Sequence, residues 1–387
     1  MYDAAVIGMG AMGSAVSYHL ARRGLKVVAL ERYSIPNELG SSHGLSRIIR
    51  LAYFEHPSYV PLLHRAFQLW RELERASGEQ LLTITGSLDL GPPGSRVVEG
   101  ALRSCRAHSL AHEVLDGNAV AKRFPAFDVP SDFQAVFQPD GGFLVPERCT
   151  AAHAALAGAL GAEIRVGTAA TTIEPDQHGV TLRTGNVTLR ARRAVVCAGP
   201  WTARLLPQLA GVLVPERQAV AWFGVQNPDL FQPRRFPVFI LDSGAGIYYG
   251  FPEHSVPGFK LGKYHHRGEK VDPETMERRF SAEDEQVLRE GLARYFPDAC
   301  GPLLRGSICL FTNTPDGHFV LGPLPGVPSV IVVAACAGHG FKFAPVIGQI
   351  AADLVEHGLL ATIFRCTESN GCSARRRVRC STPLESG

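Results

Sequence analysis

The sequence predicts an α/β protein that combines a discontinuous Rossmann-like dinucleotide-binding domain with a second domain built on an antiparallel sheet. Three observations predict it. Residues 2–31 run strand, glycine turn, helix, strand, which is a βαβ unit. Residues 214–265 alternate apolar and polar, as the strands of a larger antiparallel sheet do. The β-branched run "VPSVIVVAAC" at 327–336 then feeds a loop and a helix, so the dinucleotide domain is interrupted by the second sheet.

The opening stretch, "YDAAVIGMGAMGSAVSYHLARRGLKVVALE", gives a buried strand at 2–7, a helix at 11–23 and a second strand at 26–31. Gly8, Gly10 and Gly13 stand between strand and helix in the spacing GxGxxG. The first allows a tight turn, the second lets backbone approach a pyrophosphate, and the third lets the helix pack closely on the sheet. The helix N-terminus then presents N–H groups and positive dipole to phosphate. Glu31 ends the second strand 18 residues after Gly13, where a carboxylate can accept a ribose hydroxyl. This fingerprint fits FAD and NAD alike.

An amphipathic helix follows at about 57–78, then a strand in "TGSLDLG". Residues 160–200 read as short strands, "AEIRVG", "TTIEP", "VTLRT" and "VTLRARRAVVCAGPW", the last returning to close the dinucleotide sheet. Within the alternating region, "GIYYGFP" and "FKLGKYHH" read as two strands, and 282–295 as a charged amphipathic helix. "SICLFTN" places Cys309 in a strand, and "AGHGFKFAPVIGQIAADLVEHG" is a loop running into a helix. No internal repeat is visible.

Composition narrows the function. At 387 residues, with 45% hydrophobic and 19% charged, the chain has material for two to three globular domains. No apolar run approaches the roughly 18 residues that span a bilayer. A strand that starts at Tyr2 leaves no room for a signal peptide, so a cytoplasmic protein is expected. The net charge of +3 resides in residues 365–387, which hold five Arg and two Glu; the rest carries 34 basic and 34 acidic groups. That balance gives no basic footprint for nucleic acid. Nine cysteines without a CxxC pair fit reduced thiols. Adjacent histidines in "YHH" would point to opposite faces of a strand, so no metal site is expected.

Several separated segments, "GMGAMGSA", "GSSHGLSRIIRLAY", "GIYYGFP", "KLGKYHH", "RGSICLFTNTPDGHF" and "AGHGFKF", together resemble the monomeric sarcosine oxidase family of FAD-dependent amine oxidases. That family also contains N-methyltryptophan oxidase and pipecolate oxidase, and the resemblance covers residues 1–364. It implies a two-domain flavoprotein: residues 1–80, 141–213 and 305–364 bind FAD, and residues 81–140 and 214–304 form the substrate domain. The tail 365–387 has no counterpart and reads as disordered. The implied reaction oxidises the C–N bond of a small secondary amino acid, N-methyl or cyclic. Oxygen reoxidises the flavin to give hydrogen peroxide, in a monomer with no membrane or nucleic-acid partner. The alternatives are an FAD dehydrogenase using another acceptor, a flavin-binding protein without turnover, and an NAD-binding protein.

The resemblance also implies roles. Cys309 occupies the place of the cysteine that forms a thioether to the flavin 8α-methyl carbon. Arg47 lies against the flavin, and Arg50 pairs with the substrate carboxylate, a task suited to a guanidinium fork. The spacing of these two arginines puts both on one side if the segment is helical. Lys342 is the second carboxylate partner. Lys260 matches the lysine that activates oxygen, a cation where negative charge is created. Tyr249 and His265 shape the substrate side, and His43 lies near the ring. Gly338 and Gly340 form a turn that aims helix N–H groups at the reduced ring. Two features depart from sarcosine oxidases. Phe311 stands where they carry tyrosine, and "KLGKYHH" has one residue more than "KLGYH", which shifts how His265 enters the site. With these departures a bulkier N-alkyl or cyclic amino acid fits the resemblance at least as well as a glycine derivative.

Overall fold

The computed structural model describes residues 1–185, 187–334 and 337–358, so the tail 365–387 lies outside the described residues. The dinucleotide sheet has eight strands. Tyr2–Ile7 pairs in parallel with Val27–Leu30 on one side and with Val187–Val196 on the other. Glu163–Arg165 extends the first edge; Val327–Ala334 pairs in parallel with the end of Val187–Val196. All four residues of Val27–Leu30 are buried, as expected of a parallel strand covered on both faces. Helix Ala11–Arg22 packs between helices Pro146–Ala159 and Ala344–His357 on one face of this sheet.

The second sheet also has eight strands, in the order Leu303–Asn313, Val214–Phe223, Phe259–Lys263, Ile247–Phe251, Val238–Asp242, Ser87–Gly91, Gln134–Gln138, Glu113–Asp116. All of its pairings are antiparallel except that of Val238–Asp242 with Ser87–Gly91, which is parallel. Phe127, Phe236, Phe239, Phe259 and Phe296 interlock over one of its faces. A small third sheet joins Arg47–Ile49, Gly142–Leu144 and Leu82–Ile84.

Six elements add to or differ from the sequence reading. Residues 47–49, where the arginine spacing left a helix open, form a strand that pairs with Gly142–Leu144, as β-branched Ile48 and Ile49 favour. The strand expected through "FKLGKYHH" stops at Lys263, and residues 264–267 turn, with His265 at φ 55°. Leu303–Asn313, grouped with the FAD-binding residues from sequence, runs in the antiparallel sheet with Cys309 opposite Gln218. Helices at Arg96–Ala107, Gly117–Arg123 and Pro146–Ala159 had drawn no expectation, although Ser95 and Asp116 cap the first two.

One buried ion pair ties this sheet to the helix Ala282–Tyr295. Arg217 donates to both carboxylate oxygens of Asp284, at 2.8 and 2.7 Å. Asp284 also closes a capping box with Ser281 and accepts from His266 at 3.2 Å. Burial pushes the Asp284 carboxyl up, but Arg217 and the Ser281 N–H outweigh it and hold the pKa at about 2. Replacing Asp284 with Ala strands Arg217 in the core, and chemical denaturation at pH 7 should show a loss of about 3–5 kcal/mol. A depressed carboxylate stabilises the fold above its unfolded value of about 3.9 and loses that effect as pH falls toward 2. The gap between parent and Asp284→Ala should therefore narrow over that window, by up to about 2.6 kcal/mol.

Candidate active site

A cavity of about 730 Å³ lies between the two large sheets. At one end, Gly8 and Gly10 line it at the turn from Tyr2–Ile7 into the helix. Gly8 sits at φ +91°, and a Cβ there would stand 2.6 Å from the Cys197 carbonyl oxygen. A Cβ on Gly13 would fall 1.7 Å from the Gly8 carbonyl oxygen, so Gly13 does not line the cavity but lets the helix close on the turn. Glu31 lines the same end, its carboxylate fixed by N–H groups of Met9 (2.7 Å) and Tyr33 (2.9 Å). Burial raises its pKa against those donors. A glycine cradle, a helix start and an oriented carboxylate together suit a dinucleotide. Gly338, His339 and Gly340 line the cavity where the chain turns toward helix Ala344–His357.

The other end gathers cations. Arg47 and Arg50 both line it, Arg50 from just beyond the Arg47–Ile49 strand, so a strand and the bend after it bring both arginines to one cavity. Arg50 is 2% exposed; it donates to the Ala52 carbonyl at 2.5 Å and to Glu55 at 2.8 Å, with the Tyr53 ring 4.6 Å away. Lys342 is buried and donates to the His339 carbonyl at 2.7 Å. Burial pushes its pKa down to about 7, with Arg50 adding to the shift and Glu55 opposing it.

Sequence reasoning missed two carboxylates of this group. Glu55 lines the cavity, and Asp89 sits in the strand Ser87–Gly91 with its Oδ1 3.8 Å from the Arg50 Nε. Asp89 is fully buried, neither of its oxygens has a hydrogen-bond partner, and burial pushes its pKa up to about 7. A lone charge inside the apolar "SLDLG" was the visible signal; nothing marked Glu55.

Tyr249, Phe311 and Cys309 line the wall beside these cations. The Cys309 thiol is buried, which raises its pKa, while Arg47 and Lys260 pull it down. Cys197 also lines the cavity, but burial alone sets its thiol, far above the ordinary value. Of these two thiols only Cys309 faces cations that favour its thiolate.

Lys260 and His43 lie behind the wall, outside the cavity lining. Lys260 is 2% exposed and donates to the Gly44 carbonyl (2.5 Å), the Ser46 carbonyl (3.0 Å) and the Ser46 Oγ (2.9 Å). The Phe251 ring is 4.3 Å from its nitrogen, and burial pushes its pKa well down. His43 is buried with neither ring nitrogen partnered, and burial, then Arg47 and Lys260, push it down to about 3, so it is neutral. His265 does not reach the cavity: it is half exposed and bonds Glu216 at 3.0 Å. The turn after Lys263 aims Tyr264 inward instead. Its hydroxyl donates to the Ala337 carbonyl at 3.1 Å, and its ring packs 5.2 Å from Phe311.

Among the described residues no group of His, Cys, Asp or Glu could hold a metal ion, and no helix is long and apolar enough to cross a membrane. Comparison with known proteins agrees with this geometry. Residues 3–354 match the FAD dependent oxidoreductase family. A monomeric sarcosine oxidase of Streptomyces avermitilis is 39% identical over 366 residues, 93% of this chain and 95% of the relative. The N-methyl-L-tryptophan oxidase of Salmonella arizonae is 36% identical over 91% of this chain and 94% of its own. Among solved structures, NikD, an unusual amino acid oxidase essential for nikkomycin biosynthesis, superposes with a TM-score of 0.81 at 28% identity, covering 94% of this chain and 95% of its own. A dinucleotide cradle facing a cluster of buried cations, and these relatives along nearly the whole length, place the chain in the FAD dependent oxidoreductase family, on the branch that holds monomeric sarcosine oxidase and N-methyl-L-tryptophan oxidase.

Proposed function

We propose that this chain is an FAD-dependent oxidase of secondary amino acids that works as a monomer. The observation that carries the reading is the pair Arg50 and Lys342, two buried cations lining the same cavity as Cys309 and the glycine cradle. Gly8, Gly10 and Glu31 would hold the adenosine diphosphate portion of the cofactor, and Cys309 would tether its ring through a thioether. FAD bound there supplies the two-electron acceptor for C–N oxidation and passes the electrons to oxygen, giving hydrogen peroxide.

The chain's own residues hold and orient. Arg50 and Lys342 grip the substrate carboxylate, charge-assisted contacts that gain strength in a site stripped of water. Tyr249, Tyr264, Phe311 and Ile240 wall the space for the N-alkyl group or ring. The apolar Phe311 edge and the aromatic faces of Tyr249 and Tyr264 suit an apolar N-alkyl group or ring. His43, neutral and unpartnered, adds no charge, and no side chain is assigned as general base, because an amine that binds unprotonated requires none. Lys260 supplies a fixed positive charge for the step in which oxygen takes electrons. The imine hydrolyses in water to an aldehyde and an amine, or to the ring-opened product from a cyclic substrate.

Three measurements test this reading. Acid precipitation of the protein should leave yellow colour on the polypeptide, and Cys309→Ser should release it to the supernatant; colour that washes off the parent refutes the tether. Lys260→Met should slow reoxidation of the reduced enzyme by orders of magnitude while sparing anaerobic reduction by substrate. Equal loss in both half-reactions would instead point to a structural role. The third concerns pH. Lys342 has its pKa near 7, so its ammonium, and the carboxylate affinity it provides, declines as pH rises above that value. A carboxylate inhibitor lacking an amine should bind roughly tenfold more weakly per pH unit on that limb, a slope that disappears in Lys342→Met.

A further inference from the structure

The loop at residues 43–46 is held from two sides. From one side, Lys260 donates to the Gly44 carbonyl at 2.5 Å. From the other, Glu147, in the first turn of helix Pro146–Ala159, accepts the N–H of Gly44 at 2.6 Å and of Leu45 at 3.0 Å through one oxygen, Oε1. The Gly44 carbonyl and the Leu45 N–H belong to a single peptide unit. Carboxylate, peptide and ammonium therefore stand in a line, with the amide dipole pointing its positive end at Glu147 and its negative end at Lys260. Each bond polarises the peptide in the sense that strengthens the other.

Two further features show that the arrangement is built. Leu45 holds φ 67°, a left-handed conformation that a leucine adopts only where the surroundings enforce it, and this is what turns the two faces of the peptide toward the two charges. The second carboxylate oxygen of Glu147, Oε2, is buried with no hydrogen-bond partner, so the group is not there merely to satisfy donors.

We propose that Glu147 is a positioning residue for Lys260: the two form an ion pair bridged by the Gly44–Leu45 peptide, which holds the ammonium charged and fixed beside the cavity. This rests on the role given to Lys260 in reoxidation. Bridging leaves Lys260 without a direct carboxylate contact, so its charge is not cancelled at the point where oxygen must feel it. Other groups that face Lys260 are Arg47 on the Arg47–Ile49 strand, Arg305 and Cys309 on Leu303–Asn313, His43 in the loop, and His254. Of these Arg47 and Arg305 oppose its charge, while the Glu147 carboxylate favours it.

The test uses the FAD-loaded protein with lysines labelled at ¹³Cε. The chain has only six, Lys26, Lys122, Lys260, Lys263, Lys270 and Lys342, and Lys260→Met identifies the resonance by its loss. Glu147→Gln keeps an oxygen that accepts both N–H groups and removes only the charge. Its Lys260 titration should shift down by about one pH unit, and the alkaline fall in oxygen reoxidation should shift with it. A Lys260 midpoint unchanged from the parent overturns the bridged pair, whatever the kinetics. If Lys260→Met reoxidises as fast as the parent, the oxygen role fails, yet the resonance shift still decides the pairing. Should Glu147→Gln not fold, Glu147→Asp takes its place: the shorter acid withdraws the carboxylate, so a smaller downward shift is expected and no shift refutes the pair.

Discussion

Three cations, Arg50 and Lys342 in the lining of this cavity and Lys260 behind its wall, are held almost entirely out of water, and that constraint governs what surrounds them. Burial on its own disfavours an ammonium, which is why both lysines have pKa values well below their ordinary range. The fold answers with fixed acceptors. Backbone carbonyls receive Lys342 and Lys260, and a carbonyl plus Glu55 receive Arg50. A carbonyl dipole lowers the penalty of desolvation without cancelling the charge. Lys342 and Lys260, met by carbonyls in place of carboxylates, therefore stay able to attract an anionic guest or to stabilise charge as it forms.

Such acceptors are useful only if they do not move. The loop carrying Gly44 and Ser46 is clamped between helix Pro146–Ala159 and the Phe259–Lys263 strand, two elements of different layers. The second sheet is itself stiffened by stacked and edge-on phenylalanines and by the Arg217–Asp284 pair. The wall beside the cavity is thus a rigid face, with its polar atoms set in advance of any ligand.

The division of the cavity follows from the two sheets that enclose it. Parallel strands end in a glycine turn and a helix start, which favours phosphate at that end. The antiparallel sheet brings in Tyr249, Cys309 and Phe311, which line the other end with aromatic rings and a thiol. Cys309 stands apart from Cys197 through the charge of Arg47 and Lys260, since both thiols are buried against the same space.

What the sequence alone determined was local. The GxGxxG turn, Glu31, the first βαβ unit, the helix 282–295 and the buried strand at 327–334 are all legible because near neighbours in the chain create their signals: period, glycine spacing, β-branched runs. Separated motifs likewise marked Arg47, Arg50, Cys309 and Lys342, all of which line the cavity. Only the tertiary structure decided the rest. "KLGKYHH" could not reveal that the chain turns at Lys263, sending Tyr264 inward and His265 to Glu216, because a one-residue change in strand ending reverses which side chain faces in. Glu147 bonds a loop 103 residues away, and Asp89 lies beside Arg50 across two sheets. Such partners are chosen by packing, through contacts between residues distant in the chain, and no local pattern carries that information.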